Sequence, residues 1–217
     1  MAQPIKSLPI YRMVHIDNVP FIVQNGLWPK LSSVVDPDFV PIGNPDIIDK
    51  RTNKPIGIEP PGGVLGEYVP FYFSGHSPML YNIVTGYGVK QVSQRDIVFI
   101  ICDALDIIDA GIPFCYTDGN ATKAISKFYN TLYGLKELDW NCIRAKIWKN
   151  TDDDFDRVRK KMSEFLVKEH LPNSLIRGFL VKNESSCMKV AAMIGDTLPK
   201  CKVIVDTNHD FFYKGYD

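Results

Sequence analysis

Two residues in this sequence are of a type and setting from which a reaction can be argued. Glu164 stands where a helical stretch meets the apolar triplet Phe165-Leu166-Val167. A carboxylate fixed by a strand and turned toward a cleft stabilises positive charge or accepts a proton. The same glutamate at a solvated helix end does neither. Arg51 lies in a polar, flexible segment. Its planar guanidinium suits bidentate pairing with a phosphate; the plainer reading is a loop arginine in water. Arg12, His15, Asn18, Tyr68 and Tyr72 are further polar residues set beside apolar strands. The run Arg157, Arg159, Lys160, Lys161 is either a solvated helix face or a phosphate-binding patch. No Walker A sequence, Rossmann glycine fingerprint, HExxH or GxSxG is present, which removes the local signatures of P-loop, dinucleotide-fold, zinc-peptidase and serine-hydrolase chemistry. The histidines His15, His76, His170 and His209 are scattered, with no metal-ligand spacing among them.

These side chains need elements to hold them, and the stretch from Pro60 to Tyr81 is the most informative. Gly62 and Gly63 permit a turn with positive φ. Tyr68 to Phe73 is aromatic and β-branched, as strands are. Pro70 interrupts that run and predicts an edge strand or a bulge, because proline cannot donate to a ladder. Ser77 reads as a helix N-cap with Pro78 at the first helical position.

Before this stretch, Ile10–His15 alternates like a strand. Asp17 as a cap and Gly26 as a stop frame a short helix over Val19–Asn25. Residues 27–45 form a proline-punctuated loop of functional length. Asp46–Arg51 predicts one or two helical turns. After it, Asp96–Cys102 is a continuous apolar run, the mark of a strand buried on both faces. Ala104–Ala110 predicts a helix ended by Gly111, Pro113–Thr117 a strand, and Asp118-Gly119-Asn120 a turn. Ile125, Phe128, Tyr129 and Leu132 give helical spacing over Thr122–Tyr133. Asp152-Asp153-Asp154 predicts a helix start that runs through Phe155, Val158 and Met162. Glu164–Val167, Ile176–Val181 and Cys201–Val205 are strands, and Ser185–Ile194 is a helix. About six or seven strands mixed with helices in no strict βαβ order favour an α+β fold, with the whole of 1–217 as one domain.

Composition narrows the class further. Apolar residues at 45% suffice for a core, and 25 basic residues balance 25 acidic ones, so no global positive field marks a nucleic-acid binder and any such contact must be local. The odd count of 5 cysteines, with no CxxC pair, argues against a disulfide framework or zinc site and for a reducing compartment. No apolar run reaches the roughly 18 residues of a membrane span, and the N-terminus lacks a signal-peptide core; a cytoplasmic protein without membrane contact is expected.

Several blocks of the sequence together resemble the DarT family of DNA ADP-ribosyltransferase toxins. They are Ile10-Tyr11 with His15-Ile16-Asp17-Asn18, Asp49-Lys50-Arg51, Pro61–Leu65 with Tyr68–Phe73 and Ser77–Tyr81, Phe114 with Tyr116-Thr117-Asp118, Leu138-Asp139-Trp140, and Glu164–Val167. The resemblance covers nearly the whole chain, Ile10 to Tyr213, and its longest block, Pro61–Tyr81, is the most specific. It implies an ADP-ribosyltransferase-like split antiparallel sheet with surrounding helices, NAD as substrate in the cleft and no metal. It also implies transfer of ADP-ribose onto a base of single-stranded DNA, thymine favoured over guanine. Glu164 falls on the family's catalytic glutamate and Arg51 on its essential arginine. A bacterial toxin–antitoxin system with a macrodomain antitoxin as partner, linked to growth control and phage defence, is implied as well.

The chemistry suits those residues. Breaking the nicotinamide glycosidic bond develops positive charge on the ribose, which a carboxylate stabilises; the remainder of the rate comes from alignment. On this reading Arg12, His15, Asn18 and Arg51 contact NAD, and Tyr68, Tyr72 and Phe73 offer rings for nicotinamide or a base to stack on. Asn120, Lys123, Lys127, Arg157 and Lys160 are the candidates for DNA contact. Many family members carry histidine where Arg12 and Asn120 stand. A transferase of the same fold acting on RNA or protein, and a catalytically silent NAD- or nucleic-acid-binding module, are the alternatives; NAD turnover and acceptor competition separate them.

Overall fold

The computed structural model describes residues 5–216. The apolar run at the centre of the sequence becomes β3 (Ile97–Asp103), which pairs along its full length with β1 (Pro9–His15), from Pro9 opposite Asp103 to His15 opposite Ile97. β3 is also paired on its other side, antiparallel to β7 (Gly178–Val181), so both of its edges and both of its faces are covered. That explains why its sequence does not alternate. β8 (Lys202–Val205) joins β7 in parallel after the crossover helix α7 (Glu184–Ile194).

On the other side lies β2 (Tyr68–Tyr72), antiparallel to β6 (Glu164–Lys168) from Tyr68 opposite Lys168 to Tyr72 opposite Glu164. β4 (Phe114–Thr117) and the short β5 (Phe128–Tyr129) complete an eight-stranded sheet of order β5-β4-β6-β2-β1-β3-β7-β8. Between its halves, β1 and β2 share one register pair, Tyr11 opposite Tyr72. The sheet is therefore split there, as expected of an α+β protein of this type.

Pro70 lies in the interior of the sheet, not at an edge, and the split explains how. A residue in an antiparallel strand points its N–H and C=O to the same neighbour. The Pro70 carbonyl accepts from Arg12 Nη1 at 3.0 Å, so its ring nitrogen also faces the side from which β1 has diverged. No ladder bond is forfeited by its missing proton.

One face of the sheet carries a continuous core of Ile10, Val14, Val69, Phe71, Val98, Ile100, Phe165 and Phe179 under α1 (Val19–Asn25), α4 (Ala104–Asp109) and α7. The other face carries two separate clusters. One gathers Met13, Leu80, Ile83, Phe99 and Phe212 under α3 (Pro78–Thr85). The other gathers Ile56, Leu65, Tyr68, Cys115 and Leu166 under the glycine turn. Gly62 and Gly63 adopt φ of 60° and 85° in that turn, the conformations glycine makes cheap. The gap between the two clusters falls at the split, and Tyr72 and Glu164 stand in it.

α3 begins as its sequence predicts, with Ser77 Oγ accepting from Leu80 N at 3.1 Å and Pro78 in the first turn. α2 (Pro45–Thr52) is capped by Asn44 and buries no residue. Three local expectations are corrected. Asp17 does not cap α1: a 3-10 turn, Ile16–Asn18, intervenes, and the His15 ring accepts from Asp17 N. Thr122–Tyr133 is not helical. Asn120 Oδ1 accepts from Thr122 N, Asp118 Oδ1 accepts from Lys127 N, and Ser126 Oγ donates to Asn120 O. These side-chain bonds compete successfully with a helical ladder, and Phe128–Tyr129 then pairs with β4 instead. Asp152–Asp154 form a turn, Asp154 Oδ1 accepts from Asp156 N, and α6 spans only Arg157–Lys161. Among the described residues no helix is long and apolar enough to cross a membrane.

Replacing Ser77 by Ala leaves the Leu80 N–H without its cap acceptor. The expected cost is about 1 kcal/mol of unfolding free energy, read as a lowered urea midpoint at unchanged slope.

Candidate active site

Tyr11, Tyr72 and Glu164 form one row across the split, because paired residues on antiparallel strands share a face. Glu164, the first residue of β6, is 1% exposed. A buried carboxylate needs partners, and three donors supply them. Arg51 approaches in a two-pronged pair, Nη1 to Oε1 at 3.1 Å and Nη2 to Oε2 at 2.6 Å. Ala121 N donates to Oε1 at 3.0 Å. Burial opposes the charge on Arg51, but the carboxylate's charge and hydrogen bonds outweigh it and raise the guanidinium pKa. Helix α2, with no buried residue of its own, is thus tied to the sheet by the arginine it carries.

Arg12 lies in the gap between β1 and β2. Nη1 is bonded to Pro70 O, whereas the buried Nε has no partner. Burial and then the charge of Arg51 lower its pKa to about 10, with Tyr72 and Glu164 opposing. Two guanidiniums therefore accompany one carboxylate, which leaves one positive charge in excess beside an unsatisfied donor. Lys54 adds positive charge close by: its pKa is lowered by burial and by Arg51. Such a site suits an anionic group with several acceptor oxygens, and a dinucleotide's pyrophosphate is one. Tyr72 completes the cluster; burial, then Glu164, raises its phenol pKa, and its hydroxyl reaches Met79 Sδ at 3.5 Å.

The remaining sequence candidates are placed as follows. Asn18 is buried and grips the long loop 27–45, with Nδ2 donating to Val40 O at 2.9 Å and Oδ1 accepting from Val40 N at 2.8 Å. His15 ends β1. Tyr68 packs in the core and gives its hydroxyl proton to Gly62 O, so its ring is not presented to the cleft. Phe73 belongs to the opposite face by strand alternation and packs edge-on against Trp140 at 5.4 Å. Of the three aromatic candidates, Tyr72 alone stands at the ion pair. Asn120 directs the turn whose next residue donates to Glu164. Lys123 and Lys127, both exposed, line a cavity of about 490 Å³ with Lys54, Phe128 and Tyr129. Arg157 donates to Ile147 O. Lys160 is held by Asp154 at 2.9 Å and Asp139 at 3.5 Å, so its charge is largely neutralised within the protein.

Sequence reasoning placed Arg159 only within a basic run and missed its structural role. It pairs with Asp156 and Asp118 and reaches Ser126 Oγ at 3.1 Å, pinning the 118–126 loop to α6. The Asp156–Arg159 spacing was the available signal. Among the described residues no group of three or more His, Cys, Asp or Glu side chains could hold a metal.

A split sheet with a buried arginine–glutamate pair in its cleft defines an ADP-ribosyltransferase-like protein. Comparison with known proteins gives the family. Residues 11–213 match the family described as DarT, ssDNA thymidine ADP-ribosyltransferase. A DNA ADP-ribosyl transferase of Escherichia coli O127:H6 is 36% identical over 182 residues, 83% of each chain. The structure of Thermus sp. 2.9 DarT with ADP-ribosylated ssDNA superposes with a TM-score of 0.83 at 31% identity, covering 93% of this chain and 95% of that one. The same Thermus protein with NAD+ gives 0.80 at 31% identity, over 94% and 98%. The chain belongs to the DarT family of NAD-dependent DNA ADP-ribosyltransferases.

Removing Arg51 alone leaves a buried carboxylate without its counter-charge, a change that costs about 3–5 kcal/mol in comparable pairs. Arg51→Ala is therefore expected to be markedly less stable than Arg51→Ala/Glu164→Ala. A double-mutant cycle by urea denaturation measures the difference; additive effects would contradict the coupling.

Proposed function

We propose that the chain is the toxin of a toxin–antitoxin pair, that it moves ADP-ribose from NAD onto thymine in single-stranded DNA, and that a macrodomain antitoxin is its partner. The observation that carries this reading is the two-pronged Arg51–Glu164 pair, buried in the split with one positive charge in excess. Arg12 and Arg51 are suited to the NAD pyrophosphate, and Arg12 Nε is buried with no hydrogen-bond partner among the described residues. Glu164 then stabilises the positive charge that grows on the ribose as the bond to nicotinamide breaks. As the ring nitrogen of the base bonds to the ribose carbon, Glu164 takes the proton that nitrogen loses. Ala121 N, bonded to Glu164, keeps the carboxylate oriented during that transfer.

Tyr72 offers the stacking face at the reacting end. Lys54, Lys123 and Lys127 offer phosphate contacts along the acceptor strand, beside Phe128 and Tyr129. Five unpaired cysteines suit a cytoplasmic setting, where the DNA of the host or of an infecting phage is within reach. The preference for thymine and the antitoxin rest on the family resemblance.

The test uses labelled NAD with single-stranded DNA, duplex DNA and RNA. Label is expected on the single strand, at thymine by mass spectrometry. Glu164→Ala is expected to lower transfer by at least about a hundredfold, the scale of removing one electrostatic interaction made in the transition state. Label on RNA or on protein alone would overturn DNA as the acceptor.

A further inference from the structure

A second cavity lies past the reacting end of the cleft. β1 serves as the ruler. Arg12 and His15, the residues assigned to NAD, lie on its C-terminal side, and Tyr11 marks the row that holds Tyr72 and Glu164. The cavity, about 290 Å³, is lined by Pro9 and Tyr11 from the other end of β1 and by Ser74, two residues beyond Tyr72. Two extended residues span about 7 Å, so the cavity adjoins the site without being the dinucleotide's own cleft.

Its walls combine rings and cations. Trp140 stands against Phe73, and the Arg144 guanidinium lies over the Trp140 ring at 5.2 Å. Lys146 pairs with Asp210 at 2.7 Å. Lys161, 2% exposed, has no carboxylate partner among the described residues: Nζ donates to Ile143 O at 2.7 Å, Ala145 O at 2.8 Å and Ser74 Oγ at 3.0 Å. Burial lowers its pKa to about 8, as expected for a cation without a counter-charge. Three cations against one carboxylate leave the cavity positive. Its volume is at the lower end for small-ligand pockets, roughly 300 Å³ upward, too little for a base pair but enough for one unpaired base.

We propose that this cavity binds the nucleotide next to the modified base, with its base against the Trp140 side and its phosphate on Arg144 and Lys146. This rests on single-stranded DNA being the acceptor. An aromatic wall with a cationic rim is how single strands are held without base pairing, and the small volume gives a physical reason why a duplex is excluded.

Arg144 and Lys146 are exposed, so Arg144→Ala/Lys146→Ala is expected to fold, with an unchanged melting curve as the check. Its KM for single-stranded oligonucleotide is expected to rise about five- to tenfold, with KM for NAD within twofold. The slope of log affinity for DNA against log salt is expected to fall by roughly 0.7 for each phosphate that the variant no longer neutralises. A neutral methylphosphonate walked along the oligonucleotide is expected to lower wild-type kcat/KM about fivefold at one position beside the target base, and to add nothing at that position in the variant. Should the variant fold poorly, the wild-type walk still decides: no sensitive position overturns the proposal. An unchanged KM for DNA, or a rise in KM for NAD instead, also overturns it and would give the cavity to the dinucleotide or to nicotinamide. If wild type transfers no label to single-stranded DNA, the acceptor reading itself fails, and this inference with it.

Discussion

A carboxylate that is 1% exposed cannot remain charged without compensation, and much of the structure around the split follows from meeting that demand. Glu164 is fixed by β6, so its partners have to come to it. Arg51 arrives on a helix with no fully buried residue, and Ala121 arrives on a loop with no regular ladder. Both are segments that would otherwise be loosely held. The ion pair therefore does two things: it neutralises the carboxylate, and it ties the α2 wall of the cleft to the sheet.

The second requirement is that the sheet be open at this point. Continuous pairing of β1 and β2 would bring the two apolar clusters of that face together and close the gap between them. Their single register pair keeps the halves attached but apart. Pro70 is compatible with this geometry because its missing N–H faces the gap, where no acceptor on β1 is in register. Arg12 uses the same gap to reach the Pro70 carbonyl. The split is thus written partly into the backbone chemistry of β2 and not only into side-chain packing. The loops on either side are pinned by side chains, Asn18 on the long loop and Arg159 on the 118–126 loop, so the walls are set by specific polar bonds where no apolar core reaches.

The parts of this architecture that depend on neighbouring residues were legible in the sequence. β3 follows from an unbroken apolar run, and α3 from Ser77 and Pro78. Parts set by distant contacts were not. Pro70 reads as an edge proline until β1 is seen to diverge. Ile125, Phe128, Tyr129 and Leu132 have helical spacing, but Asp118, Asn120 and Ser126 claim the backbone donors and acceptors first, and Ile125 ends up exposed. The partnership of Arg51 and Glu164, separated by 113 positions, has no local signal at all; the family resemblance pointed to both residues, and only the fold brings them together. Tyr68 was misleading for the opposite reason, since an aromatic on a strand near a glycine turn is as well suited to a core as to a ligand.

The charge balance of the cleft makes Arg12 informative, and a comparison with histidine at that position shows why. A histidine there would supply its positive charge only below about pH 6.5 unless perturbed. A guanidinium remains charged throughout the neutral range even with its pKa lowered to about 10. The excess positive charge beside Glu164 is therefore permanent in this chain. Attraction for an anionic substrate then does not depend on a proton being bound first. The same permanence exacts a structural cost, a buried cation next to another cation, which β2 offsets in part by turning the Pro70 carbonyl toward it.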